Sequence, residues 1–207
     1  MKIGIINSGI CNLGSVTRWI SSKYDCYNLI TKKELLSNYD LIIFPGVGSF
    51  DSVMTFLKSS GLDFELKNYI KNGGKFLGIC LGFQILFSKS DEGKNDGLCI
   101  INSEIKKLNT EQRVLVPHVG FNEVELKSNN QISKINLNSF YFTHTFGFLN
   151  DKFLFDDFEC GITNYGKLSF TSIIFSDNII ACQFHPEKSS KAGLKFLEII
   201  DLWLKKD

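Results

Sequence analysis

The fold prediction starts from the stretch Lys75-Phe76-Leu77-Gly78-Ile79-Cys80-Leu81-Gly82-Phe83-Gln84, in which an apolar strand runs directly into a tight turn and a helix. A reactive side chain with small residues two positions before and after it has the layout of a nucleophile elbow. Gly78 and Gly82 suit such a turn because side chains there would crowd the neighbouring backbone. Cys80 would also lie at a helix N-terminus, where free N–H groups and the dipole favour a thiolate. The pattern predicts a nucleophilic Cys80 and a helix over residues 83–87.

A candidate base for this nucleophile lies far along the chain, in Phe184-His185-Pro186-Glu187. Pro186 discourages helix at His185, and side chains two residues apart in extended chain lie on the same side. Glu187 can therefore orient the imidazole and leave its other nitrogen for Cys80, as in acyl-transfer triads. A lone cysteine is usually a core residue and a lone His-Pro-Glu usually a loop. Their joint appearance at two predicted strand ends indicates a catalytic site, because active groups collect beyond the carboxyl ends of parallel strands.

An acyl-transfer site also needs N–H donors for the oxyanion. The Leu81 N–H, directly after the nucleophile, is the first candidate. The loop Phe44-Pro45-Gly46-Val47-Gly48-Ser49 also follows a predicted strand, and one of its peptides, at Val47 or Gly48, is the second. Gly46 and Gly48 would let the backbone approach a ligand closely. An ordinary strand-to-helix turn is the alternative interpretation of this loop.

Composition bounds the class of protein. A chain of 207 residues with 43% hydrophobic and 22% charged residues predicts one globular domain over residues 1–207. A net charge of +1, with arginine only at Arg18 and Arg113, argues against nucleic-acid binding. Six cysteines without a C-x-x-C pair indicate reduced thiols in a cytoplasmic protein, and three scattered histidines predict no metal site. No apolar run reaches membrane-spanning length, and no cofactor is expected.

Strands and helices alternate in the first half of the chain, which predicts an α/β fold with a doubly wound parallel sheet. The predicted strands there are residues 3–6, 26–30, 41–44 and 76–79. From about residue 97 the pattern changes to strands joined by polar turns, so we expect antiparallel additions to a mixed sheet and a small flanking set of strands. These strands are predicted at residues 98–101, 114–116, 123–126, 140–143 and 168–175, before a core strand at 179–184 and a closing helix.

The elbow sequence, together with the distant His185-Pro186-Glu187, resembles the class I (triad) glutamine amidotransferases. Four further blocks narrow the resemblance to the glutaminase subunits of imidazole glycerol phosphate synthases. These blocks are Pro45-Gly46-Val47-Gly48, Pro117-His118-Val119-Gly120-Phe121-Asn122-Glu123, Tyr141-Phe142-Thr143-His144-Thr145 and Phe184-His185-Pro186-Glu187-Lys188-Ser189-Ser190. They span nearly the whole chain in the family's order.

The resemblance implies hydrolysis of L-glutamine to glutamate and ammonia. Cys80 would attack the side-chain amide, while His185 transfers protons and Glu187 orients His185. By matching position, the groups that hold the α-carboxylate and α-ammonium would be Gln84, Glu92, the backbone around Thr145, and Gly46. A surface residue of the elbow helix and a solvated loop acid are the alternative interpretations of Gln84 and Glu92.

The resemblance also implies a partner, because ammonia must stay unprotonated to react elsewhere. In this family the partner is a (β/α)8-barrel synthase that docks over the active-site mouth. The matching interface positions are His118, Phe121, Asn122, Tyr141 and Lys188. An unfavourable peptide orientation in the Gly46–Gly48 loop, corrected when the partner binds its ligand, would hold the free subunit idle.

Some positions depart from the family pattern, and other functions stay open. Phe121 replaces the usual Trp, Cys11 a Gly, Phe83 a Met and Phe146 the commoner Tyr. These changes leave room for a paralogue that supplies ammonia for amidino or amino sugars on bacterial surface glycans. A cysteine hydrolase or peptidase with a related elbow, and a non-catalytic binding subunit, are the alternatives of other classes.

Overall fold

The apolar runs of the sequence become strands of a central sheet in the computed structural model, which describes residues 1–10, 12–108, 114–126, 139–149 and 158–205. The strands are β1 (Ile3–Ile6), β2 (Tyr27–Ile30), β3 (Leu41–Gly46), β4 (Phe76–Cys80), β5 (Phe87–Ser90), β6 (Ile101–Lys107), β7 (His118–Asn122), β8 (Glu125–Leu126), β9 (Phe140–His144), β10 (Phe146–Gly147), β11 (Glu159–Tyr165), β12 (Leu168–Phe175) and β13 (Ile179–Cys182). The helices are α1 (Leu13–Ser21), α2 (Phe50–Ser60), α3 (Leu62–Lys71), α4 (Leu81–Gln84) and α5 (Ser190–Leu204), with 3₁₀ turns at Leu36–Asn38 and Pro186–Lys188.

The central sheet has eight strands in the order β2-β1-β3-β4-β13-β12-β11-β8. Pairing is parallel from β2 to β13 and antiparallel from there to β8. Strands β1, β3, β4 and β13 are buried along their whole length, as continuous apolar runs in a parallel sheet covered on both faces should be. The predicted mixed α/β sheet is confirmed, and its order puts the carboxyl ends of β3, β4 and β13 side by side.

Helices cover both faces of this sheet and create two apolar cores. On one face α2 and α3 contribute Val53, Leu57, Leu66 and Ile70. On the other face α1 and α5 contribute Val16, Ile20, Phe196 and Ile200. These residues recur at helical spacing, so each helix turns one apolar stripe toward the sheet. Within the described residues, no helix combines the length and the apolar character that crossing a membrane requires.

The prediction of a helix over residues 83–87 is wrong after Gln84. Helix α4 ends at Gln84. Phe87, the first residue of β5, already pairs with Ile101 of β6. The carbonyls of residues 85 and 86 accept hydrogen bonds from the backbone N–H groups of Leu98 and Ile100, at 2.7 and 2.9 Å. Because a distant segment takes these carbonyls, the helix cannot continue through them. An apolar run of this length fits either a buried helix or a buried strand, so its sequence does not distinguish them.

The second half of the chain follows the predicted pattern with local differences. Strand β6 begins only at Ile101, and residues 114–116 form no strand. The flanking strands form two sets, β10-β6-β5 and β7-β9, and the β5–β6 pair is parallel rather than antiparallel. The sequence pattern does not predict strands β7 and β11, because glycine and polar residues interrupt the alternation that marks a strand.

The elbow depends on close backbone contact between β4, α4 and β3. A Cβ atom on Gly78 would lie 2.4 Å from the carbonyl oxygen of Gly82. A Cβ atom on Gly82 would lie only 2.0 Å from the carbonyl oxygen of Phe44. Both neighbours are backbone atoms that cannot rotate away. The glycines predicted from the turn pattern are therefore required by packing.

We expect Gly82→Ala to destabilise the protein by roughly 3 kcal/mol, because the methyl group must push α4 away from β3. Gly14→Ala is the matched control, since Gly14 is exposed in α1 and the nearest atom to its added Cβ is 3.7 Å away. Alanine there should stabilise the helix by about 0.5–1 kcal/mol. Urea unfolding measures both changes, and equal stability of the two variants would contradict the packing argument.

Candidate active site

Cys80 occupies the last position of β4 with a strained backbone conformation. Its φ is 52° and its ψ is −98°, a backbone conformation that residues other than glycine rarely adopt. Such strain costs on the order of 1–3 kcal/mol and persists only where the surroundings enforce it. The conformation turns the side chain out of the strand at the start of α4. This is the geometry that the glycine spacing around Cys80 predicts.

His185 and Glu187 form a buried pair beyond the end of β13. His185 Nδ1 lies 2.8 Å from Glu187 Oε1, and their side chains are 1% and 4% exposed. The backbone N–H of His185 donates to the Tyr141 carbonyl at 2.8 Å, and the Ser189 hydroxyl donates to the His185 carbonyl at 2.6 Å. The backbone of His185 is thus held from both sides. The structure brings the predicted base and its orienting carboxylate into contact.

The charge of the site keeps His185 protonated at neutral pH. Burial acts to lower the pKa of His185, but its interactions with Cys80 and then with Glu187 outweigh burial and raise the pKa to about 10. The other ring nitrogen, Nε2, is buried without a hydrogen-bond partner in the described part of the chain. The predicted triad therefore carries an imidazolium between a sulfur and a carboxylate, with one N–H available for transfer.

An open cavity of about 310 Å³ lies beside Cys80. Its lining residues are Val47, Gly48, Cys80, Leu81, Gln84, Glu92, Pro117, Thr143, His144, Thr145 and Phe146. All the residues predicted to bind the oxyanion and substrate are among them except Gly46. A larger cavity of about 390 Å³ between the first 3₁₀ turn and α3 contains none of the predicted site residues.

The loop after β3 meets the elbow at the edge of this cavity. A Cβ atom on Gly46 would lie 2.5 Å from the Leu81 Cβ, so Gly46 packs against the elbow instead of lining the cavity. Gly48 has a φ of +118°, and its added Cβ would lie 2.5 Å from Ile10 Cγ2. Only glycine is suited to that position. The Val47 and Gly48 peptides and the first residue of α4, Leu81, therefore approach the cavity from two sides.

Gln84 is buried in the cavity wall and offers a ligand only one group. Its Nε2 donates to the Phe146 carbonyl at 2.9 Å and to Gln183 Oε1 at 3.0 Å. An amide nitrogen carries two N–H groups, so both donors are used inside the protein. The remaining group, Oε1, is an acceptor. Gln84 thus suits an ammonium group and not a carboxylate.

Glu92 lies on a loop that is anchored to the start of α2. Its Oε2 accepts from the backbone N–H of Phe50 at 2.9 Å, and burial raises the pKa of its carboxyl group. Asp51 holds the same loop by accepting from the N–H groups of Lys94 and Asn95, at 2.9 and 2.8 Å. Sequence reasoning missed Asp51, because an acidic residue in a first helical turn is common and its loop partners are distant in the chain.

His118 and His144 form a pair of adjacent imidazoles, and His144 lines the cavity. His144 Nδ1 lies 2.9 Å from the Phe146 carbonyl, so it must donate, and its Nε2 must accept from His118 Nδ1 at 3.1 Å. Burial lowers the pKa of His118 to about 4 and that of His144 to about 3. Both rings are therefore neutral at pH 7, with tautomers determined by the carbonyl of Phe146.

The predicted partner-facing residues divide into exposed and buried groups. Phe121 is 61% exposed, its ring centroid is 5.6 Å from that of Tyr141, and Lys188 Nζ lies 5.6 Å from the Tyr141 ring centroid. His118, in contrast, is 2% exposed, so its predicted place on the surface is wrong: strand alternation turns it inward. Asn122 is partly buried and donates to the carbonyl of Asn164 at 2.9 Å.

No group of three or more His, Cys, Asp or Glu side chains suited to a metal ion occurs among the described residues. The groups that the cavity and its triad offer are a thiol, an imidazolium, carboxylates and backbone N–H donors. These groups match the requirements of acyl transfer from an amide.

Comparison with known proteins defines the class. A family model described as "Glutamine amidotransferase class-I" matches residues 8–200, and the chain belongs to that family. The sequence is 39% identical to imidazole glycerol phosphate synthase subunit HisH of Prochlorococcus marinus over 99% of this chain and 98% of that protein. It is 38% identical to the HisH subunit of Caldanaerobacter subterraneus, over 95% of both proteins.

Solved structures agree on the fold. PurLQS from Thermotoga maritima aligns with a TM-score of 0.70 at 17% identity, over 99% of both chains. A crystal structure of a glutamine amidotransferase aligns with a TM-score of 0.66 at 15% identity, over 97% of this chain and 98% of that one. At these identities the likeness establishes the fold alone.

The neutral imidazole pair predicts loss of stability in mild acid. A histidine binds a proton near pH 6.5 when unfolded, whereas His144 in the folded chain does so only at about pH 3. Below pH 6.5 the unfolded state binds more protons, so stability falls by about 2 kcal/mol between pH 7 and pH 5 from this group. Urea unfolding should show a smaller loss over that interval in His144→Asn than in the unsubstituted protein. Identical losses would contradict the assignment.

Proposed function

We propose that this protein is a glutaminase subunit that hydrolyses L-glutamine and delivers the ammonia to a (β/α)8-barrel synthase subunit, for formation of imidazole glycerol phosphate and AICAR in histidine biosynthesis. The observation that supports the proposal is the buried His185–Glu187 pair, whose imidazole interacts with Cys80 at the edge of the cavity that Cys80 lines. The predicted substrate residues Gln84, Glu92 and Thr145 line the same cavity. Membership in the amidotransferase family supplies the reaction class.

The arrangement suits a two-step hydrolysis. The Cys80 sulfur attacks the side-chain carboxamide carbon, and the N–H groups of Leu81 and of the Val47–Gly48 loop stabilise the resulting oxyanion. His185 then passes its Nε2 proton to the departing nitrogen, which leaves as ammonia while a thioester remains on Cys80. The neutral His185 next takes a proton from water, whose oxygen attacks the thioester and releases glutamate. Glu187 keeps the imidazole oriented throughout.

The cavity also supports an orientation for glutamine. Gln84 offers only Oε1, and Glu92 offers a carboxylate, so both suit the α-ammonium group. Burial raises the pKa of Glu92, and a bound ammonium would favour its charged form. The α-carboxylate would then face the backbone around Thr145, which lines the same cavity. The side-chain amide is left to point toward Cys80.

A partner surface lies next to the triad. Val119 and Phe121 are 56% and 61% exposed on β7, and Tyr141, which binds the His185 backbone, packs against Phe121. Exposed aromatic and aliphatic side chains beside a cavity are typical of an interface. The HisH relatives are named as subunits of imidazole glycerol phosphate synthase, which supports a synthase partner. Their name also favours the histidine pathway over amidation of surface sugars.

We expect a diazo-ketone analogue of glutamine to alkylate Cys80 alone among the six cysteines. The reason is that, among the cysteines in the part of the chain that the structure describes, only Cys80 lines this cavity and interacts with His185. Peptide mass spectrometry locates the label, and Cys80→Ala is the unlabelled control. Excess glutamine should protect Cys80 from alkylation. Labelling elsewhere, or none in the presence of the barrel partner, would contradict the glutaminase assignment.

The pathway is tested by pull-down with candidate barrel proteins, followed by an ammonia-transfer assay. Glutaminase turnover should be low for the isolated chain and rise when the histidine-pathway cyclase and its acceptor substrate are added. Stimulation by a sugar-modifying synthase instead would identify the paralogous function. Peptide hydrolysis that needs no partner would favour a cysteine peptidase.

Replacing Glu187 with Gln should reduce turnover roughly 10–100-fold, less than Cys80→Ala does. The amide oxygen of the new glutamine can still accept a hydrogen bond from His185 Nδ1–H. The substitution nevertheless removes the negative charge that helps to keep the imidazole protonated. Steady-state ammonia release with the partner present measures both variants. Loss of all turnover in Glu187→Gln, or no loss, would argue against an orienting role.

A further inference from the structure

Gln183 is a buried polar side chain that the predicted mechanism does not use. It lies between the end of β13 and His185, and its side chain is fully buried. Its backbone N–H donates to the Ser172 carbonyl at 2.8 Å, which continues the sheet ladder toward β12. Burying an amide is costly unless its polar atoms find partners. The partners of Gln183 are Gln84 and the Cys80 sulfur.

The orientation of the Gln183 amide follows from the groups around it. The Phe146 carbonyl can only accept, so the atom of Gln84 that lies 2.9 Å from it must be Nε2. The same Nε2 lies 3.0 Å from Gln183, which must therefore present Oε1 to Gln84. The remaining atom, Gln183 Nε2, then lies 3.5 Å from Cys80 Sγ with a hydrogen to donate. Swapping the two ends of either amide would place two like groups against each other.

We propose that Gln183 is a positioning residue that holds the Cys80 sulfur in its ionised form and in its attacking orientation, through an N–H···S hydrogen bond. The inference rests on the proposed glutaminase function. His185 alternates between its protonated and neutral forms during the proposed cycle, so its contribution to the charge around the sulfur changes. The Gln183 amide does not titrate, so it remains a donor to the sulfur when the thiolate is released from the thioester at the end of the cycle.

The same amide connects the nucleophile to the substrate pocket. Gln84 reaches the cavity with Oε1, and its Nε2 is bonded to Gln183 Oε1. Two hydrogen-bonded side-chain amides, Gln84 and Gln183, thus set the positions of two groups. These groups are Gln84 Oε1, which suits the α-ammonium, and the Cys80 sulfur. This gives Gln183 a reason to be buried that a purely structural side chain would not have.

The test uses iodoacetamide, which reports on the sulfur and does not need the glutamine pocket. Gln183→Met keeps the length of the side chain and removes the donor. We expect the alkylation rate of Cys80 at pH 7 to fall roughly tenfold, as loss of one hydrogen bond to a charged group predicts, and its pH profile to move to higher pH. Peptide mass spectrometry separates Cys80 from the other thiols.

Two further variants keep the test decisive. Gln183→Asn retains an amide but withdraws it from the sulfur by one methylene, so it should show the same shift if the Met variant does not fold. Ser172→Ala is the matched control: its hydroxyl is buried and donates to the Gly161 carbonyl in β11 at 3.3 Å. It should change stability and leave the alkylation profile as in the unsubstituted protein.

A wild-type pH profile in the folded Gln183 variants would overturn the inference, even if glutamine analogues label Cys80. Failure of the glutamine analogue to label the unsubstituted protein would instead overturn the proposed function. The two results are independent because iodoacetamide and the analogue depend on different groups.

Discussion

The site depends on the close contact between the backbone of β3 and the turn that joins β4 to α4. The Gly82 position lies against the Phe44 carbonyl so closely that a methyl group has no space. Next to that contact Cys80 adopts a positive φ, and its side chain is buried at the edge of the cavity. Because the neighbouring strand β13 ends at the same edge, His185 arrives beside the sulfur without any long connection. Packing in the sheet thus brings Cys80 and His185 to the same edge.

The histidines near the cavity differ in charge. Interactions with Cys80 and Glu187 outweigh burial and raise the pKa of His185. Burial instead lowers the pKa values of His118 and His144, which keeps both rings neutral. Identical side chains therefore differ in protonation, because the partners of His185 outweigh its desolvation. The Gln84 amide connects the Phe146 carbonyl, which His144 also contacts, to Gln183.

Local sequence patterns predicted the parts whose cause is local. The glycines around Cys80 and the proline after His185 restrict their own backbone, so the elbow and the turn at His185 were recognisable, although the strand predicted over residues 179–184 ends at Cys182. The Ser49 hydroxyl caps α2 by accepting from the Ser52 N–H, and Gly61 ends that helix in a left-handed conformation. The end of α4 was not predictable in this way. The carbonyls of the two residues after α4, Ile85 and Leu86, accept from Leu98 and Ile100, and no local pattern carries that information.

The alternation of strands and helices in the first half of the chain, the elbow and the residue types of the proposed triad were determined by the sequence itself, since they follow from periodicity and from the steric demands of glycine and proline. Tertiary structure alone decided that His118 faces inward, that Asp51 holds the loop of Glu92, and that Gln183 reaches the Cys80 sulfur. Each of these results depends on contacts between segments far apart in the chain. Their directions are set by the pleat and stacking of strands, which a one-dimensional pattern does not specify.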